Sequence, residues 1–317
     1  MRSLTEEPLY SIISVIDVRK TSNEYSILLN SLSKGGLELL TKHVAVSAFH
    51  NSFQRNDPPK CHPNTRVQIL RIIFDWIVHS NLERYERILW LNGAAGAGKS
   101  AIMQSLMELC LEASIGFAAF FFFRSEISRN NTKGLFATLA YQLAQAIPNT
   151  LDGILRIIDQ NPLIFEENLE SQLHQLVIQP LLQLTGQFLI PFVIFVDGLD
   201  ECDDRSHQSA LIRLFGSIAE DKTIPIIFVV ASRREPEIEA SFSQIIGSNI
   251  LRTISLDYSD VSQTYDDIRR YLVDKFTEIK KTHIRRHLIP STWPPIWMID
   301  EIVAKSSGQF IYASLVI

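Results

Sequence analysis

Residues 93–100 read Gly93-Ala94-Ala95-Gly96-Ala97-Gly98-Lys99-Ser100 and satisfy G-x-x-x-x-G-K-[ST] position by position. Glycines at 93, 96 and 98 let the backbone pass through conformations that a Cβ obstructs. The turn then aims successive N–H groups into one concavity that holds an anion. Lys99 is placed to reach the β- and γ-phosphates, and the Ser100 hydroxyl to ligate Mg²⁺. The flanks agree with this reading. Ile88-Leu89-Trp90-Leu91, ending in Asn92, reads as a short buried strand, and Ala101, Ile102, Leu106, Leu109 and Cys110 recur at helical spacing. Strand, glycine loop and helix in that order set phosphates on a helix N-terminus. The nucleotide-holding residues expected here are Gly93, Ala94, Ala95, Gly96, Ala97, Gly98, Lys99, Ser100 and Ala101.

Further along stands Phe192-Val193-Ile194-Phe195-Val196-Asp197-Gly198-Leu199-Asp200-Glu201. The apolar run, rich in β-branched and aromatic residues, reads as a strand buried on both faces. An aspartate at its C-terminal end falls where ligands bind in an open α/β sheet. Asp197 is expected to hold Mg²⁺ together with Ser100. Asp200 or Glu201, a few residues on, is expected to polarise an attacking water. A third buried run, Pro225 to Ala231, ends in Ser232-Arg233-Arg234-Glu235. A cation at that strand tip faces the γ-phosphate, where charge develops during transfer. Arg233 is the first candidate, with Arg234 as the alternative inward side chain and pairing with Glu201 or Glu235 as the structural alternative.

Composition narrows the class. The chain has 317 residues, 46% hydrophobic and 21% charged, the profile of a globular protein with one or two domains. A net charge of −5 argues against a general nucleic-acid binder. The three cysteines, Cys61, Cys110 and Cys202, have neither metal spacing nor a disulfide pattern, as expected for a cytoplasmic protein. No stretch reaches the roughly 18 apolar residues of a membrane span. Glu6 and Glu7 ahead of the first apolar stretch argue against a signal peptide.

The remaining segments place these motifs. Tyr10–Val18 reads as a strand or a helix, and residues 51–64 as an extended polar arm. Val67, Leu70, Ile73, Phe74, Ile77 and Val78 predict an amphipathic helix of about four turns, capped by Asn64 or Thr65. Gly116–Phe123 predicts a strand. Leu135–Ile147 predicts a helix stopped by Pro148, with further helices across Leu151–Asp159 and Leu169–Thr185. After Leu256 the chain reads as helical over Tyr265–Ile279, Trp297–Ser306 and from Gln309 onward. Ile317 falls inside that last pattern, so an incomplete C-terminus is expected. The expected organisation is an N-terminal segment and arm (1–60), a nucleotide-binding domain (61–256) and a helical lid (257–317).

Gly93–Ser100, Asp197-Gly198-Leu199-Asp200-Glu201 and Ser232-Arg233 together resemble the NACHT class of STAND NTPases. The sequence is most similar to fungal NACHT proteins with a nephrocystin-like NTPase domain. Asn56-Asp57-Pro58-Pro59-Lys60-Cys61-His62-Pro63, Phe136-Ala137-Thr138-Leu139-Ala140-Tyr141-Gln142-Leu143 and Ser306-Ser307-Gly308-Gln309-Phe310-Ile311-Tyr312-Ala313 resemble that group specifically. The resemblance extends over about residues 36–317. It implies an α/β fold: a parallel P-loop sheet flanked by helices, with an extra strand between the two nucleotide motifs and a helical lid. It also implies ATP or ADP with Mg²⁺, slow hydrolysis, self-association in the ATP state and a role in signalling of the innate-immune kind. An ADP-locked interaction scaffold is the alternative. ATP rather than GTP is implied by the resemblance alone; no guanine-type Asn/Thr-Lys-x-Asp motif is present. Neither nucleic acid nor membrane is expected as a partner, and no protein effector is named by the motifs. Arg234 departs from the family's usual proline, and the usual winged-helix and repeat regions are missing from these 317 residues.

Overall fold

Five apolar runs pair side by side as one parallel sheet. In the computed structural model, which describes residues 34–55, 58–79, 85–184, 190–245, 249–257 and 261–317, the strands are β1 (Ile88–Asn92), β2 (Phe117–Phe121), β3 (Phe192–Asp197), β4 (Ile226–Ser232) and β5 (Leu251–Ser255). Their order is β2-β3-β4-β1-β5. Every pairing is parallel. The strand expected between the two nucleotide motifs is therefore β4, which separates β1 from β3. Strands β1 to β4 are buried along their whole length, the edge strand β2 included, whereas β5 at the other edge is half-exposed. All five C-terminal tips lie on one rim, where open parallel sheets bind ligands.

The helices are α1 (Lys34–His43), α2 (Val67–Val78), α3 (Lys99–Glu112), α4 (Leu135–Ala146), α5 (Leu151–Gln160), α6 (Leu169–Leu173, continuing through a π-helical turn His174–Ile178 to Gln179–Leu182), α7 (Arg205–Glu220), α8 (Pro236–Ile245), α9 (Val261–Thr282), α10 (Ile296–Ser306) and α11 (Phe310–Val316). Alternation along β2 and β3 splits the core in two. Phe117, Ala119, Phe121, Val193 and Phe195 face α2 and α3, packing on Ile73, Trp76, Ile102, Met103 and Leu106. Ala118, Phe120, Phe192, Ile194 and Val196 face the other way, onto α4 to α8. A third cluster, Ile268, Leu272, Phe276, Ile299, Ile302, Val303 and Ala313, holds α9, α10 and α11 to one another.

Several local expectations change. Helix α2 has 12 residues, just over three turns. Neither Asn64 nor Thr65 caps it: Arg66 holds the N-cap position in the left-handed conformation (φ 55). The Thr65 hydroxyl instead donates to the His62 carbonyl at 2.7 Å, a local turn contact that outcompetes the cap. The arm contains two short 3₁₀ turns, Val46–Ala48 and Phe53–Arg55. The lid helix begins at Val261, not Tyr265. Tyr10–Val18 lies outside the described residues. All three cysteines are free thiols. Burial pushes Cys110 up to about 12 and Cys202 to about 11, so both are inert core groups.

Candidate nucleotide site

The loop after β1 runs into α3 without a side-chain cap. Gly98 is the N-cap residue, makes no capping hydrogen bond, and no acidic residue stands in the first turn. The first-turn N–H groups of a helix have no intrahelical partners, so this 14-residue helix offers donors and the positive end of its dipole to an anion. Gly96 shapes the cradle with φ +78. A Cβ there would lie 2.3 Å from the Ile311 side chain of α11, so only glycine fits both the turn and its neighbour.

Lys99 lies folded over the loop. Its ammonium donates to the Gly93 carbonyl at 2.7 Å and the Ala94 carbonyl at 3.0 Å. Burial lowers its pKa, while Asp200, Asp197 and Asp257 oppose the shift. The Ala94 N–H donates to Asp257 at 2.9 Å, joining the loop to the tip of β5.

Asp197 ends β3 and is buried, and its Oδ1 has no hydrogen-bond partner among the described residues. Burial raises its pKa to about 6, against the hydrogen bond from Ser100 and the charges of Arg55 and Lys99. An orphaned carboxylate oxygen beside a hydroxyl is a donor set suited to a hard divalent cation. Mg²⁺ therefore fits between Asp197 and Ser100. The raised pKa carries a prediction. Proton and metal compete for this carboxylate, so the gain in nucleotide affinity from Mg²⁺ is expected to be full well above pH 6. It should decline about tenfold per unit below pH 6. Titration of a fluorescent ADP with and without Mg²⁺ between pH 5 and 8 checks this; Asp197→Asn should abolish the dependence.

The acidic turn after β3 divides its two carboxylates. Gly198 makes the bend with φ +69, and a Cβ would meet the Phe122 carbonyl at 3.0 Å. The Asp200 side chain is then drawn inward, 3% exposed, onto the tip of β4. The Arg233 backbone N–H donates to Asp200 Oδ1 at 2.9 Å and Arg233 Nε to Oδ2 at 2.6 Å. That hydrogen bond is the largest cause raising the Arg233 pKa. Arg233 thus pairs with Asp200, rather than with Glu201 or Glu235. Arg234 turns away to Glu239. Glu201 stays beside the cavity, accepting the Arg124 N–H at 3.2 Å. Arg124 Nη2 donates to the Asp200 carbonyl at 2.7 Å and pins the turn.

These groups line one cavity of about 680 Å³, within the usual range for small-molecule sites. Lys99, Ser100, Asp197, Asp200, Glu201 and Arg233 line it, together with Arg66, Tyr271 and Phe310. Gly93, Ala94 and Ala97 form the loop without lining it. Arg66 was not singled out by motif, yet it joins three parts of the chain. Its Nη2 donates to the Ala97 carbonyl at 3.1 Å, Nη1 to Thr264 at 3.0 Å and its backbone N–H to Asp267 at 2.8 Å. Its guanidinium stands 5.0 Å from the Phe310 ring centroid. Only its place directly before an amphipathic helix hinted at this in the sequence.

Residues 73–233, half of the chain, match the family described as nephrocystin 3, N-terminal. The chain belongs to that family. The match takes in the phosphate loop, Asp197 and Arg233. The vegetative incompatibility protein HET-E-1 of Podospora anserina is 26% identical over 331 aligned positions, covering 98% of this chain and 22% of that protein. The chain thus spans about a fifth of the length of that relative. Among solved structures, Cdc6p from Pyrobaculum aerophilum has a TM-score of 0.42 and 18% identity, covering 69% of this chain and 51% of that one. Drosophila ORC bound to DNA has a TM-score of 0.42 and 15% identity, covering 77% and 52%. Family, sheet order and phosphate loop make this nephrocystin-type chain a nucleotide-binding module of the P-loop NTPase fold. Among the described residues no helix is long and apolar enough to cross a membrane.

Proposed function

We propose that this chain is an ATP/Mg²⁺-binding NACHT-type module that hydrolyses ATP slowly and serves as a nucleotide-dependent signalling switch and self-association domain. The observation that supports it best is the lid resting on the phosphate loop. Ile311 of α11 lies against Gly96, and Arg66 ties Ala97 to Thr264 and Asp267 of α9. Occupancy of the loop and position of the lid are thereby coupled.

In this reading the loop N–H groups and Lys99 hold the phosphates, and Ser100 and Asp197 hold Mg²⁺, which neutralises phosphate charge. Glu201 orients water. Arg233 distinguishes ATP from ADP, because only a γ-phosphate competes with Asp200 for its guanidinium. A ligand shifts a two-state equilibrium only by its differential contacts with the two states. One charge-assisted contact of about 1.5–3 kcal/mol shifts populations roughly tenfold to a hundredfold. Hydrogen exchange over residues 261–317 and light scattering are expected to differ between ADP and a non-hydrolysable ATP analogue, with higher mass under the analogue. Identical protection and mass in the two states would refute the switch.

The second reading, an ADP-locked scaffold with negligible turnover, draws support from the Asp200–Arg233 pair, which already occupies one acid and the candidate sensor. A multiple-turnover ATPase assay beside analysis of bound nucleotide separates the two.

A further inference from the structure

A half-buried cation stands on the Asp197 side of the sheet, outside every motif. Arg55 ends the 3₁₀ turn Phe53–Arg55 of the arm. Its Nη1 donates to the His50 carbonyl and to Gln104 Oε1, both at 3.0 Å. Its guanidinium carbon lies over the Phe121 ring, 3.5 Å from the centroid. Both hydrogen-bond partners are neutral.

Those three contacts locate the charge. Phe121 pairs with Asp197 across β2 and β3. Residues in register on adjacent strands project to the same face of the sheet, so Asp197 lies on the face of Val193, Phe195 and Phe121. Helix α3 covers that face, and Gln104 follows Ser100 by one helical turn. Arg55 is therefore wedged between the sheet and the first turns of α3, flanking the Ser100–Asp197 pair. Asp197 is the nearby charge that acts most strongly on Arg55, and Arg55 acts on Asp197 more strongly than Lys99 does. Burial lowers Arg55 only to about 10, so it stays charged at neutral pH.

We propose that Arg55 is a positioning residue, the fixed countercharge of Asp197, and that it sets how strongly the nucleotide site depends on Mg²⁺. This rests on the reading of Asp197 as the metal-holding carboxylate. Without metal, Arg55 offsets, ahead of Lys99, the cost of keeping the buried Asp197 carboxylate ionised. With metal, Arg55 and the cation share Asp197, and their repulsion weakens metal binding. Lys99 acts on Asp197 less strongly, its ammonium held by the Gly93 and Ala94 carbonyls. Arg55 is held by the Phe121 ring, His50 and Gln104, so it does not leave when ligand enters.

The test is the ratio of ADP affinity in Mg²⁺ to that in EDTA, measured with a fluorescent ADP at pH 8, where Asp197 is ionised. Mn²⁺ binding to the ADP-loaded protein, read by electron paramagnetic resonance, is the second readout. Arg55→Gln is expected to increase the Mg²⁺ enhancement and tighten Mn²⁺ about tenfold, the scale of one charge acting on its neighbour in partly desolvated protein. Arg55→Lys, which keeps the charge, should stay within a few-fold of wild type. A purely structural role would weaken ADP equally in EDTA and Mg²⁺ and leave the ratio unchanged. An unchanged or reduced ratio in Arg55→Gln, or equal shifts in the Gln and Lys variants, overturns the proposal while wild type still shows Mg²⁺ enhancement. Absence of Mg²⁺-enhanced ADP binding in wild type overturns the nucleotide reading, and this inference with it.

Discussion

Glu201→Gln is expected to slow ATP hydrolysis by ~10²–10⁴-fold, the usual worth of general-base assistance, while ATP affinity stays within a few-fold of wild type. The reason is the unequal treatment of two adjacent carboxylates. Asp200 is buried, and each of its oxygens already accepts a hydrogen bond from Arg233. Glu201 lines the cavity next to Asp197 with a single backbone contact at 3.2 Å. Single-turnover assays with radiolabelled ATP provide the range needed for a slow enzyme. Hydrolysis at the wild-type rate would remove Glu201 from the water-orienting role. Loss of ATP binding would instead place Glu201 on the metal beside Asp197. Asp200→Asn is the informative partner variant, since it frees Arg233 and leaves Glu201 in place.

Lys99→Ala should weaken nucleotide binding tenfold to a hundredfold and leave the fold intact. The half-buried ammonium is already held over the loop by the Gly93 and Ala94 carbonyls. A charge-assisted contact to phosphate is worth about 1.5–3 kcal/mol, which sets the range. Helix α3 keeps its packing through Ile102, Met103 and Leu106, none of which touches the substitution's purpose. The thermal midpoint of the ligand-free protein should therefore move by only a few degrees. Calorimetric titration with ADP and Mg²⁺ measures the loss; undiminished affinity would exclude Lys99 from phosphate binding.

How much of this site was legible in the chain depends on the range of the interaction. The phosphate loop and Asp197 stood out because each is bracketed by its own strand, and apolar runs such as Phe192–Val196 announce strands without outside help. The left-handed turn at Gly96 is a property of a few residues, and so is the strand-end position of Asp197. By contrast, Arg55 and Asp257 carry no local mark, and Arg66 only its place before an amphipathic helix. Arg66 is an arginine in a polar stretch until Thr264 and Asp267, some 200 residues away, close over it. Even the choice of Arg66 over Asn64 or Thr65 as the N-cap followed from a competing turn at His62.

By itself, then, the sequence determined the local elements: the glycine turn Gly93–Gly98 between β1 and α3, and a buried strand ending in Asp197. Backbone conformation and hydrophobic period are written in neighbouring residues, so they can be read one segment at a time. What only the tertiary structure decided is which charges neutralise one another. Asp200 and Arg233 are 33 residues apart. They meet because β3 and β4 are adjacent in the sheet, an order that no single segment encodes. Arg55 reaches the Asp197 side of the sheet for the same reason, through the pairing of β2 with β3. Charge interactions fall off with distance and strengthen with burial, so the partner of each ionic group was decided only when the strand tips came together.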